Sequence, residues 1–220
     1  MTLIMFDMDG TLIDTHGLIA EHMASAFSEA GLAAPTATDV RQIIGLSLPI
    51  AIGRLARTED AALVDRLVDS YKGLYRTSLE HRSDREPLFP GAREALDRLR
   101  PVPGYCLGIA TGKGLAGVNR ILAQHGLSGH FATLQTPDHN PSKPHPGMLL
   151  RAMDETGTPA TDVVMIGDTV FDIELAKAAG VMSIGVGWGY HERDDLQLAG
   201  ADILIDRFDD LDAAILQVLE

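Results

Sequence analysis

The chain has 220 residues, of which 45% are hydrophobic and 22% charged, a composition typical of a soluble globular protein. The net charge is −13, and no cluster of Lys and Arg provides the basic surface that nucleic acid requires. No apolar run reaches the ~18 residues of a membrane span, and the N-terminus lacks the basic and apolar regions of a signal peptide. We therefore expect a cytoplasmic protein with no nucleic-acid or membrane partner.

Short apolar runs rich in β-branched residues predict six buried strands, at residues 3–6, 105–110, 131–135, 162–167, 181–186 and 201–205. Amphipathic stretches of helical length lie between the later runs, at residues 117–126, 145–157 and 171–180. Strands that alternate with helices indicate βαβ units. The predicted fold class is therefore α/β, with a doubly wound, mainly parallel, Rossmann-like sheet covered by helices on both faces.

Residues 16–86, between the first and second strands, show no strand pattern and carry two helical stripes instead. The first stripe runs through residues 16–31, and the second contains Leu63, Leu67, Val68, Tyr71 and Tyr75. We predict a small helical domain over residues 16–86, inserted into a core made of residues 1–15 and 87–220, with the return near residues 84–90. The insert leaves the core at the carboxyl end of the first strand, where parallel sheets bind ligands, so it is positioned to act as a lid.

The stretch FDMDGTLIDT places Asp7 and Asp9 one residue apart, directly after the first strand. Two carboxylates this close repel each other, and each is costly to bury unless a positive charge lies beside it. Asp-Gly is also a common turn signal, so the pair alone fits an ordinary solvated turn as well. The remainder of the chain must distinguish these interpretations.

Other polar residues follow later strands of the predicted sheet. Thr111 lies in ATGKG, Lys143 in PSKPHPG, and both Asp168 and Asp172 in GDTVFD. Because the carboxyl ends of parallel strands meet at one edge, we expect these side chains to converge with the first aspartate pair. Carboxylates suit Mg²⁺, while a lysine and a hydroxyl can hold phosphoryl oxygens. The pattern predicts a divalent-metal and phosphate site.

These motifs resemble those of the haloacid dehalogenase superfamily, in the branch that has a helical cap between the first and second motifs. The matching motifs are DMDGT, IATGK, SKPHP and GDTVFD, and the resemblance covers nearly the whole chain. Residues 89–99 and 187–206 are further similar to the phosphoglycolate phosphatase-like subgroup.

The resemblance implies phosphoryl transfer in two steps. Asp7 would attack phosphorus and form an aspartyl-phosphate. Asp9 would act as general acid toward the leaving alcohol and then as general base for the hydrolytic water. The resemblance also implies a Mg²⁺ cofactor, held by Asp7, Asp9 (through its backbone carbonyl), Asp168 and Asp172. The phosphate would be bound by Thr111, Gly112 and Lys143. The family's substrate-facing cap loop matches residues 41–47, with Arg41, Gly45 and Ser47 as candidates.

Asp9 favours phosphomonoester hydrolysis over other activities of the superfamily. Relatives that cleave carbon–halogen bonds typically lack this second aspartate, and those that cleave phosphonates need a cap lysine, for which only Lys72 is available.

The predicted function is hydrolysis of a small phosphorylated metabolite, with a phosphoglycolate-like ester as the best guess. A sugar phosphomutase of the beta-phosphoglucomutase type shares all four motifs and is the nearest alternative. A phospho-signalling module fits less well, because it normally takes about half this length and has no lid. We expect a monomer, with a dimer as the alternative.

Several residues near these motifs have interpretations that do not involve chemistry. Asp14 and Thr15 are expected to shape the exit toward the insert or to cap a helix. Lys113 fits a solvated surface at least as well as a phosphate contact, and Trp188 and Tyr190 are expected mainly to pack beside the site. The pocket itself is expected to be small and polar.

Overall fold

The computed structural model of the protein describes residues 1–80 and 86–219. Its strands are β1 (Thr2–Phe6), β2 (Tyr105–Ala110), β3 (Thr133–Gln135), β4 (Val163–Gly167), β5 (Met182–Val186) and β6 (Ile203–Ile205). Its helices are α1 (His16–Glu29), α2 (Ala37–Arg41), α3 (Leu48–Ala56), α4 (Ala61–Glu80), α5 (Ala92–Leu99), α6 (Leu115–Gln124), α7 (Gly147–Thr156), α8 (Val170–Ala179), α9 (Arg193–Ala199) and α10 (Leu211–Leu219). Each predicted strand is thus confirmed, in some cases shortened by one or two residues.

Within the described residues, the strands form a six-stranded parallel sheet in the order β3-β2-β1-β4-β5-β6. The predicted fold class is confirmed. The chain winds outward from β1 in both directions, and ligands of such sheets bind where the strand order reverses. In the register, Phe6 lies opposite both Ile109 and Ile166, so β1, β2 and β4 end at nearly the same level. The residues that follow these strands are therefore brought together.

Alternation along β1 explains how the sheet is covered on both faces. Ile4 and Phe6 point into a cluster shared with α5, α6 and α10, whereas Leu3 and Met5 point into a cluster shared with α7 and α8. Side chains of a strand alternate between faces, so a continuous apolar run such as LIMF supplies both clusters. All four side chains are completely buried.

Helices α1 to α4 pack around a third apolar cluster, in which Met23, Ile52 and Leu67 are almost completely buried. The two connections between these helices and the sheet run side by side. The Asp14 N–H donates to the Pro87 carbonyl at 2.9 Å, next to a bridge between residues 13 and 88. The division into an inserted domain over 16–86 and a core over 1–15 and 87–220 stays a prediction. Residues 84 and 85, the first part of its predicted return, lie outside the described residues. None of the described helices has the length and apolarity needed to cross a bilayer.

Candidate active site

A tight turn after β1 directs the first two aspartates toward the cavity. The N–H groups of Leu12 and Ile13 both donate to the Met8 carbonyl, at 2.9 and 3.0 Å, which closes the chain into a loop. Gly10 within it has φ +94°, and a Cβ there would lie 2.1 Å from Asp168 Oδ2. Only glycine meets both the left-handed conformation and the close approach. The loop is thereby held against the residues that follow β4.

Three carboxylates meet at the carboxyl ends of β1 and β4. Asp7, Asp168 and Asp172 are completely buried and present oxygen atoms that all lie within 4.8 Å of one another. Lys143 reaches into the cluster from the loop after β3, with Nζ 3.0 Å from Asp7 Oδ1 and 2.5 Å from Asp172 Oδ1. Three acids against one ammonium group leave an excess of negative charge in a site with little access to water.

Burial dominates the electrostatics of this cluster. It raises the pKa of Asp7 to about 7, although the Lys143 charge opposes the shift. Burial, together with the charges of Asp172 and Asp7, raises the pKa of Asp168 well above its ordinary value. Burial alone would lower the pKa of Lys143, but Asp172 and Asp7 outweigh it and the pKa is raised. The lysine is thus held charged, while Asp7 and Asp168 need a further positive charge to ionise together.

The donor set fits a hard divalent cation. Both carboxylate oxygens of Asp7 are buried and accept no directed hydrogen bond from the described part of the chain, although Lys143 lies close to one of them. Asp168 accepts one hydrogen bond on each oxygen, from Thr11 Oγ1 and from the Tyr190 N–H, both at 2.8 Å. Each of these oxygens keeps a lone pair available. Buried carboxylate oxygens with unused lone pairs are the ligands that Mg²⁺ prefers.

Asp172 is engaged differently from the other two acids. Its Oδ1 accepts from Lys143, and its Oδ2 accepts from the N–H and the hydroxyl of Thr169 at 3.1 and 2.7 Å, which forms a capping box at the start of α8. Gly167 is required beside it, because a Cβ there would lie 2.3 Å from the Asp172 side chain. These contacts make Asp172 the residue that orients Lys143.

Asp9 lies apart from the acidic cluster and lines the adjacent cavity. Its Oδ1 accepts from Thr15 Oγ1 at 2.6 Å and lies 3.2 Å from Lys113 Nζ. Thr15 is held in turn by Tyr190, whose hydroxyl accepts from the N–H groups of Thr15 and His16 at 2.8 and 3.0 Å. The carboxylate of Asp9 is therefore oriented by one hydroxyl and one ammonium group, as a proton-transferring residue needs to be.

Thr111 and Gly112 form the part of the cavity that follows β2. Thr111 is buried, and its N–H donates to the Gln135 carbonyl at 3.1 Å, which fixes the loop to β3. A Cβ at Gly112 would lie 2.4 Å from the Leu46 carbonyl oxygen, so the loop of the helical segment rests directly on this glycine. Both residues line the same cavity as Asp7 and Asp9.

The predicted cap loop is seated on the sheet edge, but its three candidates are placed differently. Gly45 lines the cavity and has φ +102°. A Cβ at this position would lie only 3.0 Å from Thr169 Oγ1. The Ser47 N–H donates to Ser142 Oγ at 2.8 Å, which ties the loop to the segment that carries Lys143. Arg41 lies away from this cavity and donates instead to the backbone carbonyls of residues 189 and 190.

The cavity above the aspartates has a volume of about 850 Å³ and lies between the sheet edge and helices α1, α3 and α4. Its polar end contains Asp7, Asp9 and Thr111. Most of its remaining wall is apolar and includes Ile19, Met23, Ile43, Ile44, Leu46 and Tyr71. The pocket is therefore larger and more apolar than the sequence led us to expect, because the apolar stripes of α1 and α4 line the cavity as well as the core between the helices.

Several residues for which we expected structural or surface roles contact the site. Lys113 pairs with Asp9, Thr15 donates to Asp9, Tyr190 braces the start of α1, and Trp188 Nε1 donates to the Thr11 carbonyl at 3.0 Å. The position of Lys113, two residues after Thr111 at the same strand end, could have indicated its contact with the site. Tyr190 contacts residues 175 positions away in the chain, and no local pattern indicates such a contact.

The site thus brings a buried acid cluster and a buried lysine to the carboxyl edge of a doubly wound sheet, below helices that lie between β1 and β2 in the chain. A model of the haloacid dehalogenase-like hydrolase family matches residues 4–186. The chain is 34% identical to the "Probable phosphatase IndB" of Dickeya dadantii, over 95% of this chain and 91% of that protein. It is 33% identical to a phosphoglycolate phosphatase of Xanthomonas campestris pv. campestris, over 93% and 91% of the two chains. The crystal structure of a hydrolase from Pseudomonas syringae shares the fold, with a TM-score of 0.87, 24% identity and 99% coverage of both chains.

The protein belongs to the haloacid dehalogenase-like hydrolase family. The family resemblance expected from the four motifs is confirmed, as is the enzyme class, a phosphatase-type hydrolase similar to the phosphoglycolate phosphatases.

Proposed function

We propose that the protein is a Mg²⁺-dependent phosphomonoester hydrolase that acts on a small phosphorylated metabolite through an aspartyl-phosphate on Asp7. The observation that carries the proposal is the Asp7 carboxylate: completely buried, at the polar end of the cavity, without a directed hydrogen bond from the described residues, and beside Lys143. A buried acid whose described neighbours offer only one shared ammonium group costs stability, and such costs persist where function requires them.

In the first step, a carboxylate oxygen of Asp7 forms a bond to phosphorus while the phosphorus–oxygen bond of the ester breaks. Asp9 gives its proton to the departing alkoxide oxygen. Lys143 and the Thr111 hydroxyl donate to oxygens of the transferring phosphoryl group, assisted by backbone N–H groups near Gly112. The products of this step are the alcohol and a phosphorylated Asp7.

In the second step, Asp9 accepts a proton from a water molecule whose oxygen bonds to phosphorus. The bond between phosphorus and the Asp7 oxygen breaks, which releases inorganic phosphate and regenerates the carboxylate. Thr15 and Lys113 hold the Asp9 carboxylate in place for both proton transfers. One residue can serve as acid and then as base because the first step leaves it in the form that the second step needs.

Asp7 and Asp168, the Asp9 backbone carbonyl and Asp172, directly or through a water molecule, would hold the Mg²⁺. When bound, the ion supplies positive charge that lets the buried acids ionise together and that stabilises charge on the phosphoryl oxygens. Among the described residues, one ammonium group, that of Lys143, lies in the cluster of three acids, so a divalent ion complements the charge of the cluster.

The test is release of inorganic phosphate from a panel of phosphate monoesters, with and without Mg²⁺. Asp7→Asn is expected to lower kcat/KM by at least about a thousandfold, because loss of a nucleophile removes the covalent route. Asp14→Asn is the control, since Asp14 is an exposed acid in the same segment, and it should retain activity. A fully active Asp7→Asn protein would contradict the mechanism. Isomerisation of sugar phosphates without phosphate release would instead establish the mutase alternative.

Phosphoglycolate belongs in the panel because the sequence points to a phosphoglycolate-like ester and relatives such as that of Xanthomonas campestris are named for it. A small phosphate ester is the proposed binding partner. The cytoplasmic location and the monomeric state stay predictions.

A further inference from the structure

We infer that the alcohol portion of the physiological ester is apolar and about the size of an aromatic ring, and that it occupies the cavity beneath helices α1 to α4. The inference rests on the proposed phosphatase function and specifies its substrate class. It replaces the two-carbon, carboxylate-bearing alcohol expected from the sequence.

The first argument is the chemistry of the cavity wall beyond the phosphate-binding end. Met23 on α1, Ile44 and Leu46 in the loop between α2 and α3, and Tyr71 on α4 all line the cavity. These side chains come from separate elements and converge on one space. A wall of this composition stabilises an apolar group and offers little to a small polar one.

The second argument is the placement of positive charge. Of the four cations in the described lining, two have acidic partners: Lys113 lies 3.2 Å from Asp9, and Arg120 makes paired hydrogen bonds of 2.5 and 2.9 Å to Glu86. Lys72 and Arg76 also line the cavity, but both are exposed on α4. A carboxylate two carbons from the phosphate would therefore meet apolar side chains and a lysine already paired with the general acid.

The third argument is size. A cavity of about 850 Å³ falls in the range of pockets that enclose ligands of ring size or larger. A two-carbon alcohol would leave most of the apolar wall without contacts. Binding energy from the remote part of a substrate can be used to accelerate the chemical step, so the wall is expected to contribute to kcat/KM for an ester that reaches it.

Three alkyl phosphates with similar leaving groups distinguish an apolar alcohol portion from a carboxylate-bearing one. Ethyl phosphate tests the chemistry alone, phosphoglycolate adds a carboxylate, and 2-phenylethyl phosphate adds an apolar ring. For the wild-type protein with Mg²⁺, we expect kcat/KM for 2-phenylethyl phosphate to exceed that for ethyl phosphate by about tenfold or more, as burial of a ring in an apolar wall implies. We expect phosphoglycolate to show no such advantage.

A matched pair of variants locates the effect. Leu48→Asn changes a half-buried residue of the cavity wall, whereas Ile50→Asn changes an exposed residue of the same helix outside that wall. We expect Leu48→Asn to reduce the preference for 2-phenylethyl over ethyl phosphate severalfold and Ile50→Asn to leave it unchanged. Thermal melting of both variants verifies that they fold, and the wild-type comparison does not depend on either.

The outcomes distinguish this inference from the function on which it rests. A higher kcat/KM for phosphoglycolate than for 2-phenylethyl phosphate would overturn the inference and leave the phosphatase function intact. Equal rates for ethyl and 2-phenylethyl phosphate would also overturn it. If none of the three esters releases phosphate faster than with Asp7→Asn, the proposed function fails and this inference fails with it.

Discussion

Lys143 is a completely buried lysine whose ammonium group lies between Asp7 and Asp172. Its charge offsets part of the repulsion among the carboxylates around it, and Asp172 fixes its orientation through a direct hydrogen bond. In the proposed mechanism the same charge stabilises the transferring phosphoryl group. A single side chain thus serves both the folded state and the reaction.

Replacing Lys143 by Met should therefore affect stability as well as activity. Removing one partner of a buried ion pair leaves uncompensated charge, which typically costs about 3–5 kcal/mol. We expect a decrease of that size in the free energy of unfolding without Mg²⁺, measured by urea denaturation, together with loss of phosphate release. Lys177→Met on α8, where the side chain is exposed, should change neither. Unaltered stability of Lys143→Met would show that the negative charge of the acids is compensated without the lysine.

Glu86 is a completely buried acid outside the cluster of Asp7, Asp168 and Asp172, placed where the chain returns to the sheet. Burial alone would raise its pKa, but hydrogen bonds from Arg120 and Tyr75 and the nearby charge of Lys113 outweigh burial, so the pKa is lowered below the ordinary 4.5. A lowered pKa contributes stability above the unfolded-state value, and this contribution is lost as the pH falls below about 4.5 toward the native value.

We expect Glu86→Gln to lower the free energy of unfolding at pH 7 by about 1–3 kcal/mol, the cost of weakened hydrogen bonds to a buried group. The variant should also lose less stability than the wild type between pH 5 and about 3, because it no longer binds that proton on unfolding. Denaturation at several pH values measures both effects, with Glu94→Gln, an exposed acid on α5, as control. Parallel pH profiles of stability for Glu86→Gln and wild type would refute the lowered pKa assigned to Glu86.

At the scale of elements, the loop over residues 41–47 packs closely against the sheet edge, where the backbone of Gly112 contacts it. Gly112 has an ordinary backbone conformation, yet a Cβ there would lie 2.4 Å from the Leu46 carbonyl oxygen. Gly114, two residues on, has φ −68° and would place its Cβ no closer than 3.4 Å to any neighbour. The two glycines form a matched pair that differs mainly in this contact.

We expect Gly112→Ala to push the loop away from the sheet and to lower kcat/KM by about tenfold or more, since small displacements of positioning groups are costly to catalysis. Gly114→Ala should leave activity nearly unchanged. Hydrogen exchange of amides 43–47 distinguishes loop displacement from a mere loss of phosphate contacts, because only displacement speeds their exchange. Unchanged exchange in Gly112→Ala would refute the steric argument.

The elements of the sheet were predictable because their signals are local. LIMF, YCLGIA and VVMIG are apolar runs bounded by turn residues, and Asp7, Thr111 and Asp168 each directly follow their own strand. The brace from Tyr190 to the start of α1 was not predictable, because it depends on how a loop after β5 meets a loop after β1. The apolar cavity wall was missed for a related reason: a helical stripe indicates burial, but it does not say whether protein or ligand covers it.

At the scale of the whole molecule, the acid-rich composition and the buried acid cluster predict different responses to cations. A net charge of −13 means that any salt reduces self-repulsion, and this effect is spread over the surface. The cluster of Asp7, Asp168 and Asp172 is buried, so salt in solution screens it poorly. A specific site should therefore respond to Mg²⁺ beyond the response to ionic strength.

We expect Mg²⁺ at about a hundredfold excess over its Kd to stabilise the protein by about 2.7 kcal/mol, which corresponds to a rise in Tm of about 5–10 °C for a chain of this length. NaCl at equal ionic strength serves as the reference in calorimetry. Asp168→Asn should abolish the difference between the two salts, because it removes a charged ligand, whereas Asp69→Asn, an exposed acid on α4, should retain it. Equal rises in Tm for both salts would mean that Mg²⁺ acts on the surface charge alone and that the acid cluster binds no metal.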